Sequence, residues 1–306
     1  MQAGDPGGRR AGITAGIGAY LLWGLFPLYW GFLEPSSPYE VLAARVVFAL
    51  LSLVLLVAVA RQWSEVRAVL SNGRQAVILA MAAVLVSVNW GVFIWAVAND
   101  KVVDTSLGYF INPLVSVALG VVVLHERLRR LQWVAVTIAA LAVLYATVSL
   151  GAPPWIALAL AFSFGFYGLA TKLSGVDAIP SLFVQTLFLT PFALGYLVWL
   201  SRRGELALGH HGLGHTLLVI GAGPVTALPL LLFGYAAHRV PLTLVGLLQY
   251  IAPTLQLIIG VWWFGEPMSP QRWAAFVGVW IALVLFSVDA VRHARARSEP
   301  ALVADL

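Results

Sequence analysis

The chain contains no cysteine. Disulfides, thiolate zinc sites, cysteine-ligated iron–sulfur clusters and cysteine nucleophiles are therefore excluded. Charge is scarce as well. Asp, Glu, Lys and Arg make up 10% of the 306 residues, against about 25% in a soluble domain. So few charges cannot coat a globule of this size in water. Two chemical signatures are also missing. There is no G-x-x-x-x-G-K-[ST], which argues against ATP hydrolysis, and no H-E-x-x-H, since HERLR lacks the second histidine. No basic stripe interleaved with aromatics marks a nucleic-acid surface. The pI near 9.7 is instead read as a topology signal at a membrane.

What is present is apolar. Hydrophobic residues make up 61% of the chain and the mean hydropathy is +0.91. A span needs about 20 mostly apolar residues to cross a hydrocarbon core of about 30 Å. Ten stretches qualify: 12–33, 39–60, 76–98, 105–124, 131–149, 154–172, 180–200, 215–237, 242–264 and 271–290. The expected class is an all-α polytopic membrane protein, with its longest connections at RQWSEVRAVLSNGRQ and SRRGELALGHHGLGH. The expected divisions are a tail over 1–11, a five-helix unit over 12–149, a second over 154–290 and a tail over 291–306.

Basic residues orient the chain. With the N-terminus in the cytoplasm, 13 of the 18 Lys and Arg fall inside and 4 outside (Lys101, Arg202, Arg203 and Arg272), while Arg45 lies within a span. That bias predicts two cytoplasmic termini.

The chain also repeats itself. NPLVSVALGVVVLHERLRRLQW is echoed 140 residues later, with Pro113 matching Pro253, Gly120 Gly260, Glu126 Glu266 and Trp133 Trp273. Ile111/Ile251, Leu107/Leu247 and Ala142/Ala282 keep the same offset. Five spans fit within it, and an odd number sends the second copy through the membrane in the opposite sense. Ten transmembrane helices as two inverted five-helix repeats is an architecture of secondary transporters.

Polar and aromatic residues inside the spans are candidates for a cavity, because polar groups in hydrocarbon are costly. Arg45 in span 2 reads as an anion contact or gate. It reads equally as a snorkelling arginine paired with Glu34, Glu40 or Asp104. Asn89 and Trp90 lie near the middle of span 3. Tyr109 and Asn112 precede Pro113, which frees the Tyr109 carbonyl and should bend span 4, either as a broken helix lining the cavity or as a kink used only for packing. Gln249, Tyr250 and Pro253 are the matching group in span 9. Tyr20 and Trp23 share a face of span 1 above a third kink at Pro27, and Tyr167 and Gln185 lie in spans 6 and 7. Trp63, Trp133, Trp262, Trp263 and Trp273 read as interface anchors. Glu126 and Glu266 sit at helix ends, where a surface ion pair or turn contact is expected rather than proton coupling. His210, His211 and His215 read as a solvated loop rather than a metal site. Gly8, Gly12 and Gly16 read as permitting close packing.

The repeated stretch resembles the EamA-type drug/metabolite transporter superfamily, and the RarD family within it. The resemblance rests also on GAYLLWGLFPLYW, RQWSEV, NWGVFIWAV, SLGYFINPLVSVALG, ALAFSFGFYGL, TALPLLLFGYA and LQYIAPTLQLIIGV. It covers nearly the whole chain outside the tails and the 201–214 loop. It implies ten helices in two five-helix repeats, a bacterial inner-membrane location and transport of a small organic solute. It does not name the solute, a coupling ion, or import against export. One departure is His125, where similar sequences commonly carry glycine. The expected partners are a solute and the lipid bilayer, with no cofactor, metal or nucleic acid, and a monomer is compatible with all of this. An integral membrane enzyme on lipid substrates would need clustered acids, histidines or a nucleophile, and the acids here are scattered. A non-transporting receptor would lack a polar path through the bundle.

Overall fold

The structure is a computed structural model that describes residues 6–99, 102–150, 155–262 and 270–303. Every regular element among them is helical. The helices are α1 (Pro6–Trp30), α2 (Pro38–Val59), α3 (Trp63–Ser71), α4 (Gly73–Ala98), α5 (Val102–Val122) and α6 (Arg130–Leu150). They continue as α7 (Trp155–Ser174), α8 (Ala178–Arg203), α9 (Gly212–Arg239), α10 (Leu242–Leu248), α11 (Ile251–Trp262) and α12 (Pro270–Val303). Eight helical segments are long and apolar enough to cross a membrane, and two shorter apolar segments, Ile111–Val122 and Phe276–Asp289, lie within α5 and α12.

Helix boundaries follow local chemistry. Ser37 caps α2, its Oγ accepting from the Glu40 nitrogen at 3.2 Å, with Pro38 in the first turn where no intrahelical donor is needed. α8 ends on Gly204 at φ +69°, the left-handed conformation that glycine adopts without a Cβ penalty. α5 ends in a wider turn: the Glu126 nitrogen reaches back to the Gly120 carbonyl at 3.0 Å, and His125 holds φ +53°. A histidine thus occupies a left-handed position that glycine would fill without strain.

Two sequence expectations are corrected. The connection after span 2 contains α3, whose Val66 and Val69 are buried. Span 9 is not one helix: α10 and α11 are separated by Gln249 and Tyr250. Proline 253 has no N–H for the Gln249 carbonyl. That carbonyl accepts from the Ala252 nitrogen at 3.3 Å instead, while the Tyr250 nitrogen turns to Leu247. Pro113, the matching proline, stays inside a continuous α5, and Pro27 lies inside α1. α12 also runs helical to Val303, past the expected end of span 10.

The packing is paired. α4 lies on α7 as α9 lies on α1; α5 lies on α7 as α10 and α11 lie on α1; α2 lies on α9 as α8 lies on α4. α2 meets α8 and α6 meets α12. The tightest crossing is between α9 and α2, where Gly223 faces the backbone of Phe48 and Ala49. A methyl there would fall 2.5 Å from the Ala49 nitrogen. Backbone cannot yield as a side-chain tip can, so Gly223→Ala is expected to cost about 2 kcal/mol and lower the thermal midpoint in detergent. Gly195→Ala, which meets open space, should leave it unchanged.

Candidate functional site

Arg45 lies on the second turn of α2, and its guanidinium stacks over the Trp90 ring of α4 at 4.0 Å. Such a cation–π contact is stronger away from water. The pair forms one wall of a small central cavity of about 20 Å³, room for roughly one water. Val46 and Ala49 of α2, Val86 of α4, Tyr167 of α7, Leu182, Gln185, Thr186 and Leu189 of α8, and Thr226, Ala227 and Leu230 of α9 complete it. Five pairs in this lining are related by the offset of 140: Arg45/Gln185, Val46/Thr186, Ala49/Leu189, Val86/Thr226 and Trp90/Leu230. The cavity therefore sits where matching positions of the two halves face each other.

Its polar groups are not symmetric. Gln185 donates from Nε2 to Ser181 Oγ at 3.0 Å. Its Oε1, and Thr226 Oγ1 across from it, are buried without hydrogen-bond partners. Buried polar atoms without partners are uncommon in native proteins, and each one needs an explanation. Beside the cavity opens a larger cleft of about 240 Å³, lined by Tyr39, Leu42, Ala43, Val46, Ser87, Trp90, Leu189, Phe192, Ala193 and Tyr196. Val46, Trp90 and Leu189 line both, so cleft and cavity adjoin.

Arg45, Trp90, Tyr167 and Gln185 are thus brought together from four helices. Tyr20 and Trp23 join them one layer away. Tyr20, Trp23, Phe164, Tyr167 and Phe233 form one aromatic cluster with ring centroids 5.4–6.4 Å apart. Tyr109 lies against Phe93 at 6.1 Å and within electrostatic reach of Arg45. Asn112 is buried and its amide oxygen accepts no hydrogen bond.

The other candidates are placed differently. Asn89 donates to the Leu160 carbonyl at 2.9 Å and to Ser163 Oγ at 3.0 Å, fastening α4 to α7. Gln249 donates to Ser116 Oγ at 3.0 Å, fastening the α10–α11 break to α5. Tyr250 packs with Val117, Leu247 and Val279 in a separate apolar cluster. Of the partners considered for Arg45, Glu40 is used elsewhere, and the Asp104 side chain lies outside the described residues. Thr186 and Thr226 were not singled out from the sequence, although shifting Val46 and Val86 by 140 leads to them.

The two ends of the bundle are held by carboxylates on backbone. Glu40 accepts from the Ala207 nitrogen at 3.2 Å and the Leu208 nitrogen at 2.7 Å. At the opposite end Glu126 accepts from the Leu242 nitrogen at 2.7 Å and the Thr243 nitrogen at 2.9 Å, capping α10. Lys172 stands 3.8 Å from Glu126 and donates to the carbonyls of Ala237 (3.0 Å) and Val240 (2.7 Å), closing α9. An anion at a helix start and a cation at a helix end both favour the helix dipole. Of the surface ion pair or turn contact expected of Glu126 beside Arg127, Arg129 and Arg130, the structure has this cap and the 3.8 Å approach to Lys172. Of those arginines, Arg129 instead pairs with Asp289. Glu266 and Trp263 lie outside the described residues. His215 is not simply solvated, since its Nε2 lies 3.2 Å from Ser36 Oγ and 3.3 Å from the Leu33 carbonyl. No group of three metal-ligating side chains gathers among the described residues. Trp262 is 84% exposed, as an anchor should be, whereas Trp63 packs edge-on against Phe183 at 5.5 Å.

The EamA-like transporter family matches residues 10–148 and again 153–288. The chain is an EamA transporter. Protein RarD of Streptomyces exfoliatus is 50% identical over 94% of this chain and 91% of its own length. Protein RarD of Escherichia coli K12 is 39% identical over 95% and 98%. The uncharacterized transporter YojE of Bacillus subtilis is 43% identical over 94% and 97%. A solved crystal structure shares the fold, with a TM-score of 0.70 over 90% of this chain and 97% of the other at 18% identity. This EamA transporter is accordingly a multi-pass membrane protein with bacterial relatives, and its central cavity is where two matched family units meet.

Proposed function

We propose that the protein is a secondary transporter that carries a small organic solute across the bacterial inner membrane by alternating access. Ten spans form two five-helix units threaded in opposite senses, with both termini in the cytoplasm. The solute binds between the units near the midplane, and the units tilt so that the site opens to one side and then the other.

One observation carries this reading: the Arg45–Trp90 cavity is built from position-matched residues of the two family units. Helix starts support it. Pro38 and Ala178, Val102 and Leu242, and Arg130 and Pro270 each begin helices 140 residues apart. End contacts support it too. With five spans between copies, Glu126, Lys172 and Leu242 belong on the cytoplasmic side and Glu40, Leu208, Ser36 and His215 on the outside; Glu126 contacts both Lys172 and Leu242, Glu40 contacts Leu208, and Ser36 contacts His215. Aromatic walls, a guanidinium and two acceptor oxygens suit a neutral, zwitterionic or anionic solute.

The test is uptake into proteoliposomes of amino acids, organic acids and chloramphenicol-like drugs, with and without a pH gradient. Saturable uptake of one class is expected, and none in any class would reject the reading. The threading has its own check on this cysteine-free chain. Leu70→Cys and Asp100→Cys should label with an impermeant thiol reagent from opposite faces, and same-face labelling would reject it.

A further inference from the structure

The 240 Å³ cleft beside Trp90 has a position-matched counterpart at the cytoplasmic end, and there the chain is covered. Shifting by 140 takes Tyr39 to Ile179, Leu42 to Leu182, Ala43 to Phe183, Val46 to Thr186, Ala193 to Leu53 and Tyr196 to Leu56. Leu182, Phe183, Thr186 and Leu53 are all buried. Helix α3 lies over this surface, packed on α4 and α8. The Trp63 ring meets Phe183 edge-on at 5.5 Å, and Val66 and Val69 are buried in the same apolar cluster as Leu53, Leu182 and Phe183.

Among the described residues nothing equivalent covers the outer cleft. The stretch matched to α3, residues 203–211, is irregular once α8 ends, and Glu40 holds it by the Ala207 and Leu208 nitrogens. We propose that α3 is a lid over the inward route, lifting from α8 when the cytoplasmic side opens. This rests on the alternating-access reading above.

The construction suits a part that undocks. α3 has nine residues, too few to be a stable helix without its packed face. That face is Val66 and Val69, both buried, beside the Trp63 ring, which is 38% exposed with one edge on Phe183, while Glu65 and Arg67 stay in water. It begins after Arg61 at φ +57° and ends at Asn72 in extended backbone, so both joints lie outside the helix. Segments with few buried contacts open at lower free energy than the core they cover.

The test uses the full-length protein in oriented vesicles. Thr186→Cys is the single cysteine, reporting on the central cavity, and an impermeant maleimide is applied from either face. Val66→Asp combined with Val69→Asp undocks α3. Labelling from the cytoplasmic face should quicken by about tenfold or more, with external labelling unchanged or slower. Trp63→Ala, which adds no charge, should move cytoplasmic labelling the same way by a smaller factor, and it keeps the test valid if the double variant does not fold. Cytoplasmic labelling that is no faster in either folded variant overturns the lid. So does a rise from both faces together, the mark of a loosened bundle. Ala43→Trp, wedging the outer cleft, tests the underlying reading separately. It should slow cytoplasmic labelling of the undocked variant. If it does not, while the α3 variants still quicken labelling, rocking fails and α3 stands as a lid on a static pocket.

Discussion

Glu126→Ala is expected to lower stability by about 3 kcal/mol, seen as a thermal midpoint lower by on the order of 5 °C in detergent or nanodiscs. Three losses combine. The Leu242 and Thr243 nitrogens lose acceptors at 2.7 and 2.9 Å, and hydrogen bonds to a charged group are worth about 1.5–3 kcal/mol each. α10 loses its cap, typically about 1 kcal/mol. Lys172, largely covered, loses the opposite charge at 3.8 Å. These terms share partners and do not add in full. Glu126→Gln keeps an acceptor oxygen and should lose about half as much. Exposed Glu205, paired only with Arg203 two residues away, is the control, and Glu205→Ala should change nothing measurable. An unchanged midpoint in Glu126→Ala would show that the cap contributes little.

Arg45→Ala is expected to reduce the initial rate of saturable uptake by roughly tenfold to a hundredfold, with expression and melting close to the parent. That factor is what loss of one charged hydrogen bond to the solute implies. Arg45→Lys should recover only part of the rate, because an ammonium lacks the planar face that lies on Trp90. Trp90→Ala should fall in the same direction by a smaller factor, since it removes the stacking surface and leaves the charge. If Arg45→Ala melts well below the parent and its folded fraction transports normally, Arg45 is a packing residue and the solute contacts lie elsewhere in the cavity.

Much of the helical layout was legible because apolar windows of about 20 residues have few other uses. The ends of α2, α4, α6 and α8 fall within a few residues of the expected spans. α3 was missed because its nine residues sit in a charged connection. Even so, Trp63, Val66 and Val69 at steps of three are a helical stripe. At Pro253 the sequence leaves both a broken helix and a packing kink open, since a proline predicts a lost hydrogen bond but not whether the turn tightens around it. Pro113 and Pro253 carry the same local signal with different outcomes.

The candidate site divides in a similar way. Arg45, Trp90, Tyr167 and Gln185 stood out as polar or aromatic groups inside apolar runs, and they do converge. Asn89 and Gln249 stood out for the same reason yet each donates its amide N–H to a neighbouring helix, because an amide in a bundle is held as readily by a neighbouring helix as by a solute; Gln249 Oε1, like Gln185 Oε1, is buried with no hydrogen-bond partner. The cap made by Glu126 was not legible in the sequence, because the groups that donate to it are backbone nitrogens 116 and 117 residues away, which leave no side-chain signature.

The two carboxylate clasps carry an evolutionary corollary. Glu40 and Glu126 each reach from the first family unit and accept hydrogen bonds from main chain in the second, at Ala207 and Leu208 and at Leu242 and Thr243. Such a clasp is indifferent to side-chain identity at the gripped positions and is vetoed only by proline, which has no proton to offer. Packing still constrains Leu242, Thr243 and Ala207, which are buried, but the clasp itself adds no constraint on their side chains, so correlated substitution between acid and gripped position will be weak where mechanical dependence is strong.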